Sequence, residues 1–404
     1  MARRTDSRAP LGAALAAALA LVAGCGGSPE HGADLRNLRS WSSADWSRWA
    51  HQHLLKNEIA EDLWSPAAMK AAGPAPQAAP TPPALPSPQP SGPQSSAPSP
   101  SGSQTPGSQS PGSQQPGSHP PGSGSPGSPS AATPSGPDAQ NDPLPAPVQA
   151  RGEQHPYPGD LAVFGKLFAK SPQGTYVCSG TVVSDPQHPG KSNLVWTAGH
   201  CLHGGKGADW LKNIAFVPDY NSSGAASDGR AATLAQVAPF GRWWANYAMV
   251  SPQWMAEGGD SGGSVNQYDS GIIRVTDPDL PGKSLEEMVG GSVPIWFDAP
   301  RERLDAVTAY GFPAGKPFDG QELDSCAGGR PGRLSYDPAR PTMLTIGCTM
   351  TGGASGGGWL ATGPDGRPAL VSNTSIGPSP AAWVAGPELD DEAQQMFTTM
   401  TELN

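Results

Sequence analysis

The chain runs to 404 residues, carries a formal net charge of −10 and contains 48 Pro and 52 Gly. Pro and Gly together make up about 25% of it, a level that marks low-complexity sequence and excludes one uniformly globular body. Charged residues are sparse and form no basic footprint, so nucleic acid is not an expected partner. Five cysteines is an odd number, and Cys25 stands far from the other four.

Residues 1–24 read as a signal peptide. Arg3, Arg4 and Arg8 give a positive start, and Leu11 to Ala23 form an apolar core too short to span a bilayer. The core ends in Val22-Ala23-Gly24-Cys25, which resembles a bacterial lipoprotein box whose cysteine is acylated. The alternative is an ordinary signal peptide with an incidental cysteine. The box implies an extracytoplasmic protein anchored by lipid to the bacterial cell membrane, with a secreted form as the other outcome. Without Cys25 the count is even, which suits two disulfides in an exported protein.

Residues 25–72 form a short Trp-containing segment. Ser43 is a candidate helix cap, and Pro66 should end the helix near Trp64. Leu35, Leu38, Trp41, Trp46 and Trp49 follow helical spacing only in patches. Two readings stand: an interfacial helix with its tryptophans at lipid headgroups, or a helix packed on another part of the protein. His51 and His53 have nothing nearby to complete a metal site.

From Gly73 to about Ala150 the sequence is a Pro/Ser/Gly-rich linker, with a five-residue repeat at Pro106, Pro111 and Pro116. It lacks the strict Gly-every-third pattern of collagen. It has too little apolar surface to offset chain entropy, which predicts a disordered spacer. Fully extended at ~3.1 Å per residue, it reaches roughly 230 Å.

Residues 151–404 change texture. "AVFGKLF", "TYVCSGTVV", "NLVWTAG", "NIAFV", "GIIRV", "AVTAYGF", "TMLTIGC", "GWLAT" and "ALVSNTS" are short strand-like runs separated by turn residues. They predict an all-β barrel or sandwich domain. Only the last stretch reads as a helix, with Leu389, Ala393, Met396, Phe397 and Met400 on one face.

Within this region "CSGTVVSD" at 178–185 and "NLVWTAGHCL" at 193–202 resemble the first barrel of the chymotrypsin-like (trypsin-fold) serine peptidases. The resemblance covers about residues 155–404. It implies two six-stranded antiparallel β-barrels and a C-terminal helix. It makes His200 the general base and pairs Cys178 with Cys201, fixing the loop that carries it. Cys326 and Cys348 are then left to form the second disulfide.

Such a base needs a carboxylate on one nitrogen and a serine on the other. In the family the chain order is His, Asp, Ser. Asp269, followed by Ser270-Gly271 and the strand-like Ile272, Ile273 and Val275, fits the carboxylate, with Asp219 and Asp260 as rivals. Two serines compete for nucleophile, Ser261 in "GGDSGG" and Ser355 in "GGASGGG". Ser261 precedes Asp269 and lies 61 residues after His200; Ser355 follows His200 by 155 residues and leaves room for both barrels. Ser355 is therefore the expected nucleophile, with an oxyanion hole from the backbone N–H groups of Gly353 and Ser355. The implied activity is a serine endopeptidase acting on proteins or peptides as a monomer, with no cofactor and no metal. The alternative is a catalytically inactive protease-fold binding or cell-wall-associated protein.

Two residues depart from the trypsin pattern. Thr349 stands where the pocket-floor Asp of trypsins would lie, which does not support cleavage after Arg or Lys. "VSNTSIG" lacks the pocket His of glutamyl endopeptidase-like enzymes, so a preference for Glu is not supported either. Ala354 stands where trypsins carry the Asp that pairs with a newly freed N-terminus. A buried ammonium there would be an unpaired charge, so the domain is expected to be active with its N-terminal extension attached.

Overall fold

The computed structural model describes residues 35, 38–60, 62–75, 141–259 and 264–403. The expected signal peptide, Cys25, most of the expected linker and the tetrapeptide containing Asp260 and Ser261 lie outside these residues.

The first barrel is built from β1 (Phe164–Ser171), β2 (Gly174–Val183), β3 (Leu194–Thr197), β4 (Lys212–Pro218), β5 (Trp243–Val250) and β6 (Gly271–Thr276). They pair in the order β5-β4-β1-β2-β3-β6, and β6 pairs again with β5, so the barrel closes. The β-branched and aromatic content of these runs suits pleated, packed surfaces. Phe168, Val182, Val195, Trp196, Phe216, Trp243 and Ile272 on these strands are wholly buried and belong to one hydrophobic core.

The second half contains β7 (Val307–Gly311), β8 (Asp324–Gly328), β9 (Gly332–Leu334), β10 (Met343–Gly347), β11 (Gly358–Thr362), β12 (Pro368–Asn373) and β13 (Trp383–Pro387). Here the ladder does not run on into one continuous barrel. The strands form a five-stranded sheet, β12-β11-β7-β8 plus Arg151–Gly152, and a three-stranded sheet, β9-β10-β13. Both sheets contribute to one core containing Val307, Cys326, Ile346, Trp359, Val371 and Val384. The physical reason is that Arg151–Gly152 takes the outer edge of β8. The residues just before it lie against the second sheet, with Thr349 N–H donating to the Val148 carbonyl. The Cys326–Cys348 disulfide spans the gap. The C-terminal helix, Asp391–Glu402, is capped by Asp390 and buries Met396 and Met400.

The Trp-containing segment packs on the protein. α1 (Ser43–His53) is capped by Ser42, one residue earlier than expected, and α2 (Pro66–Ala71) by Ser65. The helix expected to reach Trp64 stops at His53, because Leu55–Lys56 leave it to pair with β5. Trp46, Trp64 and Met69 are at most 1% exposed. Those side chains are therefore unavailable to a membrane, and no helix among the described residues is long and apolar enough to cross one. The structured region also begins before residue 151: Asp142 pairs with Arg333 at 3.0 Å.

Asp324 opens β8 at 5% exposure. Burial pushes its carboxyl up to about 7, with Glu322, Glu153 and Asp319 reinforcing the shift. A raised folded-state pKa means that its contribution to stability is present at low pH and lost as pH rises through about 7. Full stability from this group therefore holds only below the ordinary Asp value of about 3.9, so the advantage of Asp324→Asn over the parent is expected to be smaller at pH 5 than at pH 9, where it melts higher. The gain should be about 2–4 °C for each kcal/mol relieved, readable by calorimetry at the two pH values.

Candidate active site

β3 ends at Thr197 and turns through Gly199–Cys201, a short 3₁₀ turn that presents His200. Cys201 is bonded to Cys178 in β2, which fastens the turn to the barrel wall. β6 pairs with β3 in the register Thr197↔Gly271. The segment just before β6 therefore lies beside the turn just after β3, and Asp269 meets His200 there.

Asp269 is fully buried. Its Oδ2 accepts from His200 Nδ1 at 2.7 Å and its Oδ1 from the His200 backbone N–H at 2.8 Å. Ser375 Oγ donates to Oδ2 at 2.5 Å. Burial alone would raise this carboxyl, but the His200 charge and the bonds from His200 and Ser375 outweigh it and hold the pKa below the usual range. Because Nδ1–H donates to the carboxylate, Nε2 is left as the acceptor nitrogen. That Nε2 is buried and has no hydrogen-bond partner among the described residues. Asp219 instead follows β4, raised by burial and bonded to Ser222. Asp260 and Ser261 fall outside the described residues.

Ser355 sits in the loop between β10 and β11, pinned to the same structure. Its carbonyl accepts from Ser179 N–H at 2.7 Å and lies 3.7 Å from Cys201 Sγ. Ser179 Oγ donates to the Gly353 carbonyl at 2.9 Å. Gly356 has φ of +79°, and a Cβ there would fall 2.0 Å from Thr197 Oγ1, so only glycine fits.

The Gly352 carbonyl accepts from Ala314 N–H at 2.7 Å and Gly315 N–H at 3.1 Å. In a planar trans peptide the N–H points opposite to the C=O, so Gly353 N–H is turned away from that loop. The Ala354 carbonyl likewise accepts from Gly357 N–H at 3.0 Å, which fixes the direction of Ser355 N–H. Gly353 has φ of +103°, a conformation that a side chain would strain. Ala354 itself is buried and brings no charge.

Two cavities flank the site. One, of about 90 Å³, is lined by Ser355, Met350, Thr374, Ser375, Ile376 and Val384 among others, with no charged side chain. The other, of about 200 Å³, is lined by His200, Tyr176, Leu211 and Trp254 among others. Cys178, His200 and Cys201 come close enough to suggest metal ligands, but the two sulfurs are bonded to each other and offer no thiolate.

The structure thus brings His200 and Asp269 into direct contact and ties Ser355 to the disulfide beside them. Ser375 is a site residue that sequence reasoning misses. Its only signal there is membership of the Ser-rich run that ends β12 and continues past it.

No protein-family model matches the chain, and no curated protein does. Among solved structures, a thermostable serine protease AL20 from an extremophilic microorganism is 31% identical; the match covers 61% of this chain and 100% of that one, with a TM-score of 0.49. Protease Anisep from Arthrobacter nicotinovorans is 30% identical over 63% of this chain and 100% of that one, with a TM-score of 0.48. Both neighbours are serine proteases matched over their whole length, and the closed six-stranded barrel, further sheets and C-terminal helix described above are those of the chymotrypsin-like fold.

Proposed function

We propose that this protein is a serine endopeptidase in which Ser355 is the nucleophile, His200 the general base and Asp269 the carboxylate that orients it. The observation that carries this reading is the His200–Asp269 pair, with its Nε2 left without a partner, beside the disulfide to which the Ser355 carbonyl is tied. Nε2 takes the Ser355 Oγ proton as Oγ attacks the substrate carbonyl, giving a tetrahedral intermediate. Its oxyanion is received by the N–H groups of Gly353 and Ser355. The protonated imidazole, stabilised by ionised Asp269, passes its proton to the leaving amine, and the acyl-enzyme remains. Water then enters, loses a proton to His200 and releases the acid.

The cavity beside Ser355 is narrow and uncharged. It fits a small, uncharged side chain ahead of the scissile bond and offers no counter-charge to Lys, Arg or Glu. A peptide library cleaved mainly after charged residues would contradict this specificity.

In this reading the enzyme works outside the cytoplasmic membrane, anchored through a lipid on Cys25. Cys25→Ser is expected to move the protein from the membrane fraction to the medium, since no thioether forms on a hydroxyl. Stable anchoring needs more than one acyl chain. A mature N-terminus found downstream of Cys25 without lipid would contradict the anchor.

A further inference from the structure

Residues 38–75 clasp the first barrel and deliver their end into the cleft. α1 packs on the C-terminal helix. Asn57 then bonds the Ile214 backbone through both ends of its amide, at 3.0 Å and 3.3 Å. Trp64 Nε1 donates to the Asn213 carbonyl at 2.8 Å while its ring packs on Phe168. Lys70 Nζ donates to the carbonyls of Gly229 and Arg230. Up to α2 the segment is held by the buried Trp46, Trp64 and Met69 and by these side-chain bonds to the backbone of the barrel half.

Beyond α2 the attachment is lighter. Gly73–Pro74 pair in parallel with Tyr176–Val177, the residues of β2 just ahead of Cys178. Pro74 lies so close to Gly352 that a Cβ on Gly352 would come within 2.9 Å of the proline ring. Ala75 lines both the cavity containing Ser355 and the cavity containing His200. One short stretch therefore covers the edge of β2 and stands between the two halves of the site. Residues 73–75 are only half-buried, in contrast to Trp64 and Met69. They therefore have less buried surface to lose on leaving than the clasp upstream. Pro74 arrives with φ already fixed, which lowers the ordering cost of holding an extended strand.

We propose that residues 73–75 are an autoinhibitory strap, which must leave the cleft before a protein substrate enters. This rests on the peptidase reading above and stands against the expectation, drawn from Ala354, that the domain is active with its extension attached. Ala354 removes one latch, the paired ammonium, and the strap supplies another. Opening exposes the edge of β2 for backbone pairing with an extended substrate, the recognition mode an unpaired strand edge offers.

The test uses the full chain and a Pro74→Glu/Ala75→Glu variant, whose bulk and charge oppose docking against Gly352. Active sites are counted with a small fluorophosphonate, and hydrolysis is measured on a peptide extending several residues to each side of the scissile bond. The rate per titrated site is expected to rise by roughly tenfold or more, because an intramolecular competitor at about millimolar effective concentration is removed. Tyr176 and Val177 point their N–H groups to opposite edges of β2, and hydrogen exchange at the one that faces the strap should quicken in the variant and stay slow in the parent. Equal rates per titrated site, or equal exchange at that amide, would overturn the strap. Absence of labelling in both proteins would instead refute the peptidase reading, and with it the inhibitory role, whatever the exchange shows.

Discussion

Ser355→Ala is expected to abolish peptide-bond hydrolysis and labelling by serine-directed fluorophosphonates, with kcat falling by about 10⁶-fold. His200→Ala should fall nearly as far, and the double variant no further, because the members of such a unit lose activity non-additively. The fold should survive Ser355→Ala. The loop is held by hydrogen bonds to the carbonyls of Gly352, Gly353 and Ser355, none of which uses the Ser355 hydroxyl. Ser261→Ala should leave activity unchanged. Steady-state kinetics on the four proteins, with melting curves as a control, decides between the two serines. Loss of activity in Ser261→Ala with retention in Ser355→Ala would reverse the assignment.

Asp269→Asn is expected to lower kcat by about 10⁴-fold with little change in KM, since an amide donor opposite Nδ1 favours the wrong imidazole tautomer. Its ionised form is the one the site stabilises. The folded-state pKa lies below the ordinary carboxylate value, so the associated stability is present above ~3.9 and is lost as pH falls through the lower folded value. Ser375→Ala removes one of the donors holding that carboxylate. The acid limb of kcat should therefore move to higher pH, with the alkaline limb in place. A residue that only packed would lower the rate at every pH equally, so the pH profile separates positioning from simple support. An unchanged acid limb in Ser375→Ala would refute the positioning role.

Most of the first barrel was legible because its strands are rich in Val, Ile and aromatic residues and are bounded by Gly, Pro and Asn. β5 escaped because "WWANYAMV" breaks the alternation: it pairs with neighbours on both edges and is buried for most of its length. β8, "DSCAG", has no β-branched residue at all and is a strand only because β7 and Arg151–Gly152 flank it. Local preference says nothing there, and tertiary pairing decides. The site obeyed the same rule. His200 stood out through the Cys beside it and Asp269 through the strand after it, whereas Ser375 reaches Asp269 only across the two halves of the fold. The strap was invisible for a related reason. "AAGPAPQAA" is compositionally continuous with the linker, so only the anchoring of Trp64 and Met69 upstream shows that Gly73 to Ala75 are directed into the cleft.

The most direct measurement is the site of covalent modification by a fluorophosphonate in the full-length protein, mapped by peptide mass spectrometry. A Ser355 nucleophile predicts a single adduct on the peptide spanning Thr351–Leu360, at Ser355, lost in both Ser355→Ala and His200→Ala. An adduct at Ser261, or no adduct in a protein whose melting transition is intact, would contradict it.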